Sequence, residues 1–513
     1  MKICLINSSY EGVNSPFEQP SSDPNNKYDD FPDPNRYISK DCHEFVTRYV
    51  TRCNAEAEID EMRKEDLDMF MNYMWGIETD EVAGVEATRY LETKGVPILT
   101  NPSTFAAQKT GLRVPENTPG KFPKIVKYSD GYGSLNLDEN SIRDTDKEVT
   151  DCVALLRKEK TPFGIIAQDY IIVHECSAIG VEMGKEVVGL TPLQYVFPKD
   201  TPDNEAFLTW YNNFEAVDKG VIKYRFVEEQ PHMEHLQHAA TEAFKALGVS
   251  GGAGWARIDV RLEESTGLVY VIEVNCIPVV FYPKGNTLGD DLVVGEKFPG
   301  GQAAFIDMLL ATKQMQLGWH RRQNEHVAEI YDRFAPSYHS VWTATELSKL
   351  KSYLATNWDY SGTVLDVAWG TGGLGQLVHD QGIRADLSGI DLSPGMLENI
   401  EFKKYYKELR GAGEFDHIAC FGALHFPGPV YLNAVLARMF MIARKSVSIS
   451  VDDVSDEYVT AIKEKHGELT FNANHEAVYH ERSLIYTSPT NAEEVYGFVM
   501  RFERVPGACR DGH

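Results

Sequence analysis

The sequence predicts an α/β protein of several domains, and three observations carry that expectation. Short apolar, strand-like runs alternate with helix-like patterns along the whole chain. Its 513 residues exceed what one hydrophobic core ordinarily serves. A polar stretch rich in Gln and Arg, placed at 316–324, interrupts the apolar pattern and reads as a linker.

Taken in order, Lys2–Asn7 is a buried first strand. Val13 to Tyr37 is dense in Pro, Asp, Asn and Ser, cannot bury a core, and reads as a long loop or a substrate-side flap. Helical patterns follow over Cys42–Thr51 and Gly84–Lys94, then a short strand at Val96–Leu99. Phe122–Val126 and Gly164–Ala167 are apolar strands flanking a Gly-rich turn and a helix. Val187–Leu190, Trp255–Leu262 and Leu268–Val274 are further strands.

Composition is ordinary for a globular chain, 43% hydrophobic and 25% charged. The net charge of −26 opposes nonspecific binding to nucleic acid or an anionic membrane, though local cations could still hold an anionic nucleotide. No apolar run is long enough to span a bilayer. The first residues, MKICLINSS, have too short an apolar core for a secretion signal. The eight cysteines are scattered without a CxxC pair, which points to reduced thiols in a cytoplasm-like compartment and away from structural zinc.

The densest chemistry lies in GWARIDVRLEESTGLVYVIEVN. Glu273 and Asn275 are two apart and share one face of a strand, and a hairpin places Asp259 beside them. Two carboxylates and an amide oxygen form a hard-oxygen set suited to Mg²⁺, whose remaining ligands come from waters and nucleotide phosphates. Arg257 faces the same way and can stabilise a developing oxyanion. The bland alternative is an exposed hairpin with scattered charges. In FPKIVKYSDGYGSLNL, Lys127 follows a strand and precedes a loop with Gly131, Gly133 and Ser134, where backbone N–H groups can approach phosphate oxygens. Many plain hairpins have that pattern too. In FGIIAQDYIIVHECS, a strand runs into Gln168, Asp169, Tyr170 and Ile171, with Glu175 beyond; strand-end backbone can read an adenine edge, and a carboxylate can hold ribose hydroxyls.

These three elements, in this order, resemble the ATP-grasp superfamily, and D-alanine–D-alanine ligases most, over about residues 1 to 315. The resemblance implies that Lys109 and Lys127 contact ATP phosphates and that Ser129 to Ser134 form a mobile lid. It implies an adenosine pocket of Gln168, Asp169, Ile171 and Glu175. Asp259, Glu273 and Asn275 would carry two Mg²⁺, and Arg257 would stabilise the acyl-phosphate and tetrahedral species. The implied reaction joins a small-molecule carboxylate to an amine at the cost of ATP, in a protein that pairs as a homodimer through its N-terminal domain. Departures concern the substrates. The loop after the metal residues reads NCIPVVFYPKG, with Val279 in place of the family's glycine, which argues against D-alanine as acceptor. Lys284 there and Glu11 near the N-terminus are candidate substrate contacts, each with a plain solvated or turn residue as the alternative.

Farther on, GTVLDVAWGTGGLGQLV, GIDLSPGML and EFDHIACFGALHF read as strand–glycine turn–helix, strand, strand. Over about 325 to 450 they resemble class I SAM-dependent methyltransferases. The resemblance implies a Rossmann-like fold with S-adenosylmethionine lined by Asp366, Gly370, Gly372 and Asp391, with Tyr331 and Tyr338 near the lid. Ala368 and Trp369 depart from the first motif, and the short span from Met396 to Phe415 shows no adenine-contacting acid in a further strand. His425 is the nearest candidate for a base.

The expected organisation is therefore a pre-ATP-grasp α/β domain at 1–102, an ATP-grasp domain of two α+β subdomains at 103–315, a linker at 316–324 and a methyltransferase-like domain at 325–513. The function expected is an ATP-dependent carboxylate–amine ligase whose fused domain modifies substrate or product. Three alternatives stay open: a methyltransferase with a regulatory nucleotide-binding module, a ligase with a degenerate methyltransferase domain, and a scaffold in which neither site turns over.

Overall fold

The computed structural model describes residues 1–9, 32–38, 43–76, 82–100, 121–129, 134, 136–159, 164–183, 186–202, 205–209, 211–217, 219–247, 254–263, 265–278, 280–283, 289–318, 321–342, 359, 361–398, 405–406, 413–424, 429–452, 463–465, 468–471, 474–487 and 494–505. It is a mixed α/β protein of two compact units. One comprises Met1–Arg36 with His43–Val293, the other Tyr37–Cys42 with Val294–His513.

The first unit opens with a parallel sheet in the order β2-β1-β3-β4, from β1 (Lys2–Ser8), β2 (Glu44–Val50), β3 (Met69–Tyr73) and β4 (Ile98–Leu99). Near-continuous burial of β1 and β3 is what a parallel strand covered on both faces requires. The helix expected over Cys42–Thr51 is instead β2. Phe45, Val46, Tyr49 and Val50 are aromatic or β-branched, and β1 offers a full parallel register from Lys2↔Glu44 to Ser8↔Val50. Helices α1 (Ala55–Met62) and α2 (Val85–Thr93) bury Ile59, Met62, Ala87 and Leu91 in the core that this sheet shares.

Next come β5 (Lys124–Tyr128), β6 (Ile142–Arg143), α3 (Asp146–Leu156) and β7 (Ile165–Asp169), a small sheet ordered β6-β5-β7. Thr145 caps α3 by accepting from Glu148 N. The larger sheet runs β11-β10-β8-β12-β13, with β9 on β8; its strands are β8 (His174–Met183), β9 (Glu186–Gly189), β10 (Leu193–Val196), β11 (Lys223–Phe226), β12 (Trp255–Glu263) and β13 (Leu268–Asn275). Helix α4 (His232–Ala246) presents Leu236, Ala240, Ala243 and Phe244, a helical stripe, to Ile258, Val260 and Leu262. Gly180 of β8 lets Phe244 lie close, since a Cβ there would stand 3.3 Å from the ring. The short helix α5 (Gly289–Leu292) follows β13 in the chain.

In the second unit, α6 (Gly301–Leu317) is buried without a break from Ala303 to Thr312. It packs on α10 (Pro429–Ile442), where Asn433 Nδ2 donates to Asp307 Oδ2 at 2.7 Å. Gly318, in the left-handed region, ends α6, and α7 (Arg321–Trp342) follows. The division between compact units thus falls ahead of the linker placed at 316–324, because α6 is apolar all round and needs a partner helix. A seven-stranded sheet follows in the order β16-β15-β14-β17-β18-β22-β21. Its strands are β14 (Gly362–Val367), β15 (Ala385–Ile390), β16 (Tyr405–Tyr406), β17 (Phe415–Cys420), β18 (Ala443–Asp452), β21 (His475–Thr487) and β22 (Glu494–Arg504); β19 (Lys463–Lys465) pairs separately with β20 (Glu468–Thr470). Strands β16 through β18 are parallel and β22 is antiparallel to both neighbours, a doubly wound Rossmann-like sheet. Between Met396 and Phe415, where the sequence shows no adenine-contacting acid, β16 pairs with β15 for two residues. Helices α8 (Gly373–Asp380) and α9 (Pro394–Glu398) follow β14 and β15.

No helix among the described residues is long and apolar enough to cross a membrane. Trp369, buried at 4% exposure, lies against Gly389 so closely that an added Cβ would sit 1.5 Å from its Cε3. Gly389→Ala is therefore expected to destabilise the second unit by about 1–3 kcal/mol through overpacking, read as a shift in its urea unfolding midpoint.

Candidate functional site

The site is built on the β12–β13 hairpin. Antiparallel pairing sets Arg257 opposite Asn275 and Asp259 opposite Glu273, and the register then slips, so that Val260 pairs with Val271. The slip leaves Ile272 as a bulged residue, and it lines the cavity beside the charged groups. That cavity, about 140 Å³, is lined also by Lys127, Ser134, Gln168, Glu175 and Arg261. Strand alternation places Arg257, Asp259 and Arg261 on one side of β12, while Ile258, Val260 and Leu262 face α4.

Arg257 grips Asp259 with two bonds, Nε to Oδ1 at 2.7 Å and Nη2 to Oδ2 at 3.1 Å. Asn275 Nδ2 donates to the same Oδ2 at 2.7 Å, and Arg257 Nη1 reaches Asp290 Oδ2 at 3.4 Å. Burial opposes the charge on Arg257, but the Asp259 and Asp290 carboxylates outweigh it and hold the guanidinium protonated. Burial pushes the Asp259 carboxyl up to about 6, Arg257 pulls it down, and Glu273 adds to the rise. Because the folded state raises this pKa, stability from Asp259 is present at low pH and is lost as pH climbs from 3.8 through about 6.

Among the described residues, no group of three or more His, Cys, Asp or Glu is placed to hold a metal ion. The set predicted from the sequence is of another kind: two carboxylates and one amide. Its donor chemistry fits a hard divalent cation, because Asp259 and Glu273 are held opposite each other and raise the cost of each other's charge.

On the other wall, Lys127 of β5 lines the cavity, and its charge lowers the pKa of Glu175. Burial, the larger effect, leaves Glu175 raised despite Arg261 and the N–H of Leu208. Arg261 Nη2 binds Glu175 at 2.8 Å, and its Nη1 donates to Ile171 O at 2.9 Å. Its guanidinium also lies 4.6 Å from the Tyr170 ring centroid. Asp169, predicted at the adenosine pocket, lines the cavity but has its carboxylate tied to Lys124 at 2.5 Å and Lys121 at 3.3 Å. Ser129 donates its N–H to Gly164 O and continues the strand pairing, so only Ser134 of the predicted lid serines lines the cavity. Lys109, Gly131, Gly133, Glu11, Val279, Lys284 and His425 lie outside the described residues, as does 13–31 of the proline-rich loop.

Sequence reasoning missed Arg261, Asp290 and Lys124. Arg261 carried a signal, standing two residues beyond Asp259 on the same strand face. Asp290 carried none, since 33 residues separate it from Arg257.

The second unit assembles its predicted residues as well. Ala368, Gly370 and Gly372 all adopt positive φ, at 62°, 57° and 83°. Asp391, just past β15, accepts Gly370 N and Ser393 N, each at 2.8 Å. Burial raises the Asp391 carboxyl against those two bonds. Asp366, at 5% exposure, is raised by burial and then by Asp391. Asp332 of α7 accepts from Ser393 Oγ at 2.5 Å and Gly395 N at 2.8 Å, and Tyr338 stands 3.2 Å from where a Gly370 Cβ would be. This turn, with donors and a carboxylate at the ends of β14 and β15, fits a small nucleoside cofactor.

The Lys124–Asp169 pair permits a direct check, since both side chains are almost fully buried. Lys124→Met removes the shorter of the two ion pairs to the Asp169 carboxylate and is expected to cost about 3–5 kcal/mol by urea denaturation. Adding Asp169→Asn should recover much of that loss.

The family model described as D-ala D-ala ligase C-terminus matches residues 164–281. No curated protein matches the sequence. Among solved structures, VanG D-Ala:D-Ser ligase from Enterococcus faecalis is 14% identical, over 61% of this chain and 99% of its own, with a TM-score of 0.40. An L-amino acid ligase from Bacillus licheniformis is 14% identical over 60% and 74%, with a TM-score of 0.38. Magnesium protoporphyrin IX methyltransferase from Synechocystis PCC 6803 is 13% identical over 31% and 78%, with a TM-score of 0.24. What this chain is similar to by family is thus the C-terminal domain of D-Ala–D-Ala ligases, over a stretch that holds every strand from β7 to β13.

Proposed function

We propose that the first unit is an ATP-dependent ligase that joins a small, amino-acid-like carboxylate to an amine through an acyl phosphate. The observation that carries this reading is the convergence of Arg257, Asp259, Glu273 and Asn275 with Lys127 and Glu175 on one cavity. Such a reaction first brings a carboxylate against a polyanion, so the site must neutralise repulsion before any bond forms. Lys127 supplies a positive charge on the β5 side, and Arg257 supplies another on β12. Mg²⁺, bound through Asp259, Glu273 and Asn275, would add the charge needed on the phosphates. Glu175 would hold ribose hydroxyls while Gln168 and Ile171 border the base. Arg257 then stabilises the oxyanion of the tetrahedral species as the amine displaces phosphate.

The second unit we assign to S-adenosylmethionine, with Asp391 for the ribose diol and the turn at Ala368–Gly372 for close approach of the cofactor. That assignment rests on the three left-handed residues and on Asp391 bracketing the turn.

ADP and phosphate release, screened over pairs of amino acids, is expected to be amine-dependent. Glu273→Gln should lower it by about 10²-fold or more while circular dichroism stays unchanged, because a cation ligand is lost. Release that ignores the amine, or that survives this substitution, would overturn the ligase reading. Calorimetry should show one SAM site, lost in Asp391→Ala; no heat with the native chain would mean a fold kept without its cofactor.

A further inference from the structure

We infer that Asp290 is a positioning residue that receives Arg257 when a divalent cation takes Asp259, so that the arginine and the cation do not contend for one carboxylate. The inference rests on the metal–nucleotide part of the proposed site and adds to it a residue that no resemblance supplied.

In the structure, Arg257 spends Nε and Nη2 on the two oxygens of Asp259, and Asn275 donates to one of them. A cation bound to Asp259 needs lone pairs from those same oxygens and repels the guanidinium. Bringing in the cation therefore requires somewhere for Arg257 to go. Its remaining terminal nitrogen, Nη1, already lies 3.4 Å from Asp290 Oδ2, a long contact with room to tighten. Asp290 is 4% exposed, so its carboxylate gains more from a guanidinium than a surface acid would.

Packing fixes Asp290 in place. Gly289 sits so tightly on β10 and β11 that a Cβ would meet Leu193 Cδ2 at 2.6 Å and Tyr224 Cε1 at 3.2 Å. Asp291 on the other side accepts Phe281 N at 2.8 Å and Tyr282 N at 2.9 Å. Phe281, at φ 73°, passes its carbonyl to Asp33 N and Arg36 Nη1. The carboxylate is thus anchored through its two neighbours, whereas Arg257 has a long, rotatable side chain. Arg257 is shared between the Asp259 and Asp290 carboxylates, and Glu273 stands opposite Asp259 across the hairpin. Tyr195 of β10 also feels Arg257, Asp259 and Asp290.

The test is a double-mutant cycle read by calorimetry with ADP, with and without Mg²⁺, on the full chain. Asp290→Asn should weaken Mg²⁺-dependent ADP binding by about tenfold, the usual scale for a group that orients a metal site from behind, and leave Mg²⁺-free binding unchanged. In an Arg257→Ala background the same change should have no effect, because no guanidinium is left to relocate. Equal affinity in Asp290→Asn, or an equal loss in the Arg257→Ala background, overturns the inference. Should Asp290→Asn not fold, Arg257→Ala alone decides: Mg²⁺ affinity that falls rather than holds or rises contradicts contention for Asp259. Coupling in the cycle without turnover of any acid and amine pair would sink the ligase reading and leave the inference standing. A native chain that binds no Mg²⁺·ADP would end both.

Discussion

Everything in the first unit's site depends on the register between β12 and β13. Pairing Arg257 with Asn275 and Asp259 with Glu273 puts a guanidinium, two carboxylates and an amide within one another's fields. A shift by one residue would turn those side chains into the α4 core and bring Ile258 and Val274 out. The apolar alternation of β12 against α4 is what prevents this, so the core and the charged cluster are specified by the same strand. Charge then shapes the rest. One arginine held between Asp259 and Asp290 keeps its proton, while Asp259 is driven upward by burial and by its partner across the hairpin.

A second electrostatic knot lies on the same strand. Arg261 ties β12 to the segment after β7 through Glu175, Ile171 and Val173. It thereby links the sheet that carries the acidic groups to the strand end that borders the proposed base pocket. Lys124 performs a related task inside the small sheet, pairing with the buried Asp169 carboxylate. These buried pairs do little for stability compared with apolar packing, but removing one partner is costly.

The second unit solves a different problem with the same economy. Its doubly wound sheet ends β14 and β15 beside each other, and the turn between them needs positive φ at three places. Ala368 adopts it without being glycine, and the buried Trp369 beside it is accommodated because Gly389 has no side chain. The unusual residues of this motif therefore do not disturb the turn; Asp391 still receives the Gly370 N–H.

Much of this was legible in the order of residues. The spacing of Asp259, Glu273 and Asn275 forces them onto strand faces, and the alternation around them says which face is outward, so their convergence needed only the hairpin that joins the two strands. The strand–glycine turn–helix at 362–380 and the helix at 85–93 were equally local. The tertiary structure decided what periodicity cannot express. β2 became a strand because β1 offered it a register, against a helical pattern of its own. The bulge at Ile272, the partner of α6 and the reach of Asp290 to Arg257 depend on contacts between residues far apart in sequence. Hydrophobic patterning is a short-range signal, whereas ion pairs across elements exist only once the backbone has brought their ends together.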